Sequence, residues 1–153
     1  MIEREFVEIP PHKTLLPKLG LGGYSIPQAI AELVDNAIDA RIEGARLHVE
    51  ISFDTSSIRT KDDGMGMHAG ELKNAMRLAY STKEGKLGEF GLGLKTACSS
   101  LGKLFEVRTS TAGDRWICTI RYDEDEWLRD QSERWVLPLE RKARPTQAHM
   151  EQQ

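Results

Sequence analysis

The segment from Ser25 to Gly44 constrains this chain more than any other. Ser25 suits a helix N-cap, and Pro27 falls in the first turn, where a missing N–H costs little. Ile30, Leu33, Val34, Ala37 and Ile38 recur at helical spacing, and Gly44 supplies a stop. A helix over 26–41 is expected, with its apolar stripe against a sheet. Each helical residue advances about 100°, so Glu32, Asn36 and Asp39 share an arc of roughly 60° on the other side. Such a face, two carboxylates and an amide, is either solvated or turned to a ligand. For this segment alone the solvated face is the commoner outcome.

The rest of the chain alternates helices with strands. Leu47, Val49, Ile51 and Phe53 alternate with His48, Glu50 and Ser52, the period of a strand with one buried face. A weaker strand through Ile58 and Thr60 follows, then a short helix over 70–80. Residues 81–88 read as a polar loop, and residues 91–101 as a third helix. Strand-like runs are expected at 5–9, 104–109, 115–121 and 134–137, with 111–114 as a turn. The stretch holding Pro17, Gly20, Gly22 and Gly23 reads as a loop. Residues 141–153 read as a polar tail, or the start of a further segment. Interleaved helices and strands predict an α/β fold, helices on one face of a sheet.

At 153 residues, 39% hydrophobic and 29% charged, the chain suits one globular domain with its own core. No apolar run approaches the ~18–20 residues of a membrane helix. The start, Met1-Ile2-Glu3-Arg4-Glu5, lacks the basic and apolar regions of a signal peptide. A net charge of −3 and a pI near 5.8 give no support to direct nucleic-acid binding. Cys98 and Cys118 form neither a disulfide framework nor a zinc pattern, and the four histidines are scattered. A reduced, cytoplasmic setting without membrane attachment is expected.

Two further constellations carry chemistry. Asp62-Asp63-Gly64-Met65-Gly66-Met67 follows a strand directly. Glycines there let the backbone approach a flat ligand, and a carboxylate can accept from an exocyclic amine. Asp-Gly is also a common turn, so a plain turn is the competing reading. An EF-hand calcium loop fits poorly, because the regular oxygen ligands are missing. Gly88-Glu89-Phe90-Gly91-Leu92-Gly93-Leu94-Lys95-Thr96 leads into the third helix. Glycines opening a helix offer free N–H groups to an anion. The P-loop spacing is missed by one residue, and no strand precedes it as in a dinucleotide fingerprint. A ligand-free glycine-rich loop is the bland alternative.

In order and spacing, these three constellations resemble the GHKL ATPase superfamily of gyrase, the ninety-kilodalton heat-shock chaperones, histidine kinases and MutL. The likeness covers roughly residues 25–111. It implies a two-layer α+β sandwich, with a mixed, largely antiparallel sheet covered on one face by helices. It also implies an ATP-binding domain over 1–140, with an ATP lid at about 81–93. By resemblance, Glu32 is the general base, and Asn36 holds magnesium against the phosphates, with Asp39 behind. Asp62 reads the adenine amine, while Gly64 and Gly66 let the base lie close beside Met67. Gly88, Gly91, Leu92, Gly93 and Leu94 cradle phosphates, and Lys83 and Lys95 flank the lid. The lid residues Gly88–Ala97 are most similar to those of the chaperones and of MORC proteins, where Leu-Lys follows the last glycine. A MORC-like or MutL-like subgroup is expected.

The resemblance implies ATP and magnesium as ligands, slow hydrolysis, and nucleotide state coupled to lid closure and a homodimer or partner. A transducer-type domain or protein partner is implied too, because hydrolysing members take a lysine from such a domain. No Gly-Thr pair follows the third helix, where the family carries a threonine behind the adenine, and Thr146 is a poor substitute. Binding is thus better supported than turnover. Two alternatives stay open: a switch that binds nucleotide without hydrolysing it, and histidine-kinase-like phosphotransfer. The missing phosphoacceptor helix counts against the latter.

Overall fold

A computed structural model describes residues 3–79 and 92–145. Thr14 opens α1 (Leu15–Leu21). Ser25 opens α2 (Ile26–Asp39) through a capping box: Gln28 N–H faces Ser25 Oγ, and Ser25 N–H donates to Gln28 Oε1 at 3.0 Å. That exchange satisfies two orphan donors and fixes where α2 begins. A hairpin follows, β1 (Val49–Phe53) with β2 (Ile58–Asp62), paired antiparallel from Val49 opposite Asp62 to Phe53 opposite Ile58. Asp54 accepts the N–H groups of Ser56 and Ser57 at 2.7 Å and so shapes the turn.

His68 caps α3 (Ala69–Met76), and α4 (Gly93–Leu101) runs into β3 (Leu104–Thr109). Next come β4 (Trp116–Asp123), α5 (Glu124–Arg129) and β5 (Leu139–Ala143). The second sheet has the order β3-β4-β5 and is antiparallel throughout. Helices with antiparallel sheets are the architecture expected. The described residues divide their strands between two sheets and hold no parallel pair.

Alternation along β4 explains the core. Cys118, Ile120 and Tyr122 are buried, while Ile117, Thr119 and Arg121 point the other way. Tyr122 joins Phe105, Trp127 and Leu16 in one cluster, with Leu19 and Trp135 against it. Cys118 and Ile120 join Leu72 in a second, with Met67 and Leu139 against it. α1 packs on α4 closely enough that a Cβ on Gly20 would run into the Ser99 carbonyl.

Several expectations are corrected. Residues 5–9 form no strand; Phe6, Val7 and Ile9 are largely exposed and no neighbouring strand pairs them. The glycine-rich stretch before Ser25 contains α1, which docking on α4 and burial of Leu16 sustain despite Pro17 and Gly20. α5 was not expected; Asp123 caps it by accepting the N–H groups of Asp125 and Glu126. The last strand is not 134–137 but Leu139–Ala143, so the polar tail starts beyond Ala143 rather than at Arg141. Ladder bonds to β4 hold this polar strand, which hydrophobic patterning could not reveal. The apolar stripe of α2 buries Ala29 and Ala37 and lies mainly on α4 rather than on a sheet, leaving Ile38 partly exposed.

Candidate functional site

Glu32 lies two turns into α2, whose start the Ser25 box fixes. Its carboxylate stands against the first residue of α4: a Cβ on Gly93 would run into Glu32 Oε2. Only glycine leaves room for a carboxylate at that helix end. One turn further along α2, Asn36 Nδ2 donates to the Glu32 backbone carbonyl at 2.9 Å. That bond orients the amide with its nitrogen on the helix backbone and its oxygen as the other end. Asp39 follows in the last turn of the same helix.

The Asp62–Met67 loop is fastened to the end of α2 and the end of β3. Gly64 N–H donates to Asp62 Oδ1 at 3.0 Å, and Met65 N–H donates to the Ala40 carbonyl at 2.7 Å. A Cβ on Gly64 would stand 2.7 Å from that carbonyl oxygen. Gly66 has φ +67°, and a Cβ there would collide with the Ser110 carbonyl. Its conformation and its surroundings both demand glycine. Met67 N–H donates to Thr109 Oγ1 at 2.9 Å, and its side chain packs on the Leu72 cluster. Asp62 itself is exposed.

A cleft of about 410 Å³ opens between the two helices, lined by Gly22, Gly23, Tyr24, Glu32, Leu92, Gly93 and Thr96. It brings together Glu32, Leu92 and Gly93 from the sequence-based set. Lys95 turns elsewhere. It is 2% exposed, and its Nζ donates to the Ala75 carbonyl at 2.9 Å. Burial pushes its pKa down to about 8. Gly88, Gly91, Lys83, Thr146 and most of the lid at 81–93 lie outside the described residues.

Tyr24 was missed by sequence reasoning. It sits just before the N-cap, its N–H donates to Ser100 Oγ at 3.0 Å, and it lines the cleft together with Glu32. Burial first, then the neighbouring Glu32 carboxylate, raises its pKa above the ordinary phenol value. A signal was available in the Gly22-Gly23 pair preceding Tyr24, since two glycines before a capped helix mark a close backbone approach. Here Gly23 approaches Thr96 and Ser100.

Among the described residues, no group of three or more His, Cys, Asp or Glu side chains could hold a metal ion. No helix among them is long and apolar enough to cross a membrane.

The family model of histidine kinase-, DNA gyrase B-, and HSP90-like ATPases matches residues 24–149, from Tyr24 through both glycine motifs and the second sheet. The chain belongs to this family. Membership of this ATPase family implies ATP binding. Relatives are MORC proteins. ATPase morc-1 of Caenorhabditis elegans is 35% identical over 106 residues, covering 65% of this chain and 12% of that protein. Protein MICRORCHIDIA 3 of Arabidopsis thaliana is 40% identical over 81 residues, 48% of this chain and 14% of the relative. Protein MICRORCHIDIA 2 of the same plant is also 40% identical over 81 residues, 48% of this chain and 13% of the relative. The matched stretch spans only 12–14% of these relatives' length.

Proposed function

We propose that this GHKL-type domain binds ATP with magnesium, hydrolyses it slowly, and passes its nucleotide state to lid closure and to a homodimer or protein partner. The observation that carries the reading is Glu32 facing Gly93 across the cleft, a carboxylate beside the end of α4 where N–H groups point outward. Leu92, Gly93 and Leu94 would present those N–H groups to phosphate oxygens, and by the family resemblance Gly88 and Gly91 would extend the phosphate cradle. Glu32 would take the proton of the attacking water. The work in such chemistry is mostly positioning and electrostatics.

Asn36 suits magnesium, a hard cation that keeps waters and leans on phosphates rather than on a protein cage. Its amide nitrogen is spent on the helix backbone, and an amide oxygen is a hard ligand. Magnesium, when bound, would neutralise phosphate charge. Asp39 would support Asn36 from the next turn. Asp62 would accept from the adenine amine, with Gly64 and Gly66 giving the base room and Met67 beside it. Lys95 would reach a phosphate only by leaving the Ala75 carbonyl. The free cysteines Cys98 and Cys118 accord with a reducing cytoplasm.

Titration with labelled ATP and magnesium tests the site. Asp62→Asn and Asn36→Ala should each weaken binding about tenfold or more. Unchanged affinity in both would sink the assignment. Glu32→Ala should keep binding and lose magnesium-dependent hydrolysis, and persistent turnover would remove Glu32 from the chemistry. Light scattering with a non-hydrolysable analogue should show a dimer; a monomer with analogue bound would exclude nucleotide-driven self-association.

A further inference from the structure

Tyr24 belongs to none of the three constellations, yet it shares the cleft with Glu32. Its backbone is anchored on α4. Tyr24 N–H donates to Ser100 Oγ, and the Ser100 hydroxyl lies 2.7 Å from the Thr96 carbonyl. Its phenol shares the cleft with the Glu32 carboxylate and is close enough to feel its charge. The carboxylate thus has two neighbours in the cleft, the phenol and the bare Cα of Gly93. Tyr24 and Glu32 are the titratable groups among the seven lining residues, and α4 offers the cleft only Gly93 and Thr96.

We propose that Tyr24 is a positioning residue for Glu32: its hydroxyl donates to the carboxylate and holds it in one rotamer, aimed at the reacting water. This rests on the assignment of Glu32 as general base. A glutamate has three rotatable bonds, and a carboxylate pointing the wrong way abstracts no proton. A hydrogen bond from a fixed neighbour removes that freedom before substrate arrives. The phenol can serve because it keeps its proton: burial and the Glu32 charge both hold its pKa above the ordinary value. The anchor lies on the helix whose N-terminus faces the phosphates in the proposed site. The carboxylate and the phosphate cradle are thereby referred to one rigid element.

Two measurements on the full chain decide it. In steady-state turnover with magnesium and ATP, Tyr24→Phe should lower kcat by about ten- to a hundred-fold, the scale of one hydrogen bond to a charged group. KM should change little, and the thermal melt should stay close to wild type. Unchanged kcat overturns the proposal. So does a raised KM at constant kcat, which would make Tyr24 a nucleotide contact. The second measurement needs no turnover. Tyrosine carrying 13C at Cζ gives three resonances, from Tyr24, Tyr80 and Tyr122. The Tyr24 resonance, identified by its loss in Tyr24→Phe, should move in Glu32→Ala while the other two stay. A resonance indifferent to Glu32→Ala overturns the pairing. If that resonance moves but Glu32→Ala still hydrolyses ATP, the pairing stands and the general-base assignment falls.

Discussion

Among the described residues two lysines are buried, and their settings separate two regions built on different principles. Lys13 lies in the aromatic region. Its Nζ donates to Asp130 Oδ2 at 2.6 Å and to the Asp130 carbonyl at 3.2 Å, and stands 4.8 Å from the Trp127 ring centroid. Trp127 Nε1 returns a bond to the Lys13 carbonyl at 2.8 Å. Around them Phe105, Tyr122, Trp127 and Trp135 pack ring on ring at 5.0–5.9 Å. Lys95 lies on the helix that walls the cleft, and the one partner described for its Nζ is the Ala75 carbonyl. Around the cleft, glycines set against carbonyls and a carboxylate replace the stacked rings. One region is held by buried area. The other is held by vacancies of the right size, as a ligand site requires.

Trp127→Ala should break the first region most severely. Loss of a buried indole costs about 3–5 kcal/mol, read as a fall in the denaturant midpoint. Nucleotide affinity of the remaining folded protein should be near wild type. Equal loss of affinity would show that the two regions are not separable.

Gly66→Ala and Gly93→Ala probe the second region and should differ from each other. Gly66 carries a left-handed conformation and faces rigid backbone, so alanine should cost roughly 1–3 kcal/mol of stability. Gly93 faces the end of a flexible side chain, and alanine favours a helix by up to about 1 kcal/mol. Gly93→Ala should melt near wild type while displacing Glu32, and so lose turnover. A large stability loss at Gly93 would mean that Glu32 cannot yield.

The smallest effects are in pH. The Lys13 ammonium and the Ser132 groups hold the Asp130 carboxyl well below its ordinary value. Its contribution is present above about pH 4 and lost as pH falls toward its folded pKa. Asp130→Asn should flatten that acid limb. Lys95 acts at the alkaline end. Between about 8 and 9 the unfolded chain keeps a proton that the folded chain has shed, so stability rises with pH there; above about 9 the buried Cys98 thiol, pushed up to about 12, opposes the rise. Lys95→Met should abolish this rise, as equilibrium unfolding at pH 7, 9 and 10 would show. A flat wild-type profile over that window would contradict the burial of Lys95.

Legibility in the sequence followed the same division. α2 was readable because Ser25, Pro27 and the apolar spacing agree, and β3 because its core-facing residues alternate. The Asp62–Gly66 loop was readable because its glycines answer local demands. What escaped was sustained from far away in the chain. α1 exists through its fit on α4, where Ser99 fills the space beside Gly20. β5 exists through backbone pairing with β4. Residues 5–9 carry apolar residues suited to a strand, but no strand among the described residues pairs with them. At the site, Tyr24 escaped because its place in the cleft depends on packing against α4, far along the chain. Lys95 looked exposed by type, and only packing against α3 shows its Nζ at Ala75.

β5 has a consequence for how the protein behaves in concentrated solution. It lies at the margin of its sheet, exposed from Glu140 to Ala143, and carries Glu140, Arg141 and Lys142 in succession. Two such margins brought together would have to strip water from every one of these charges. The same residues that hid the strand from hydrophobic patterning guard it against stray sheet extension, the first step toward fibrous aggregates.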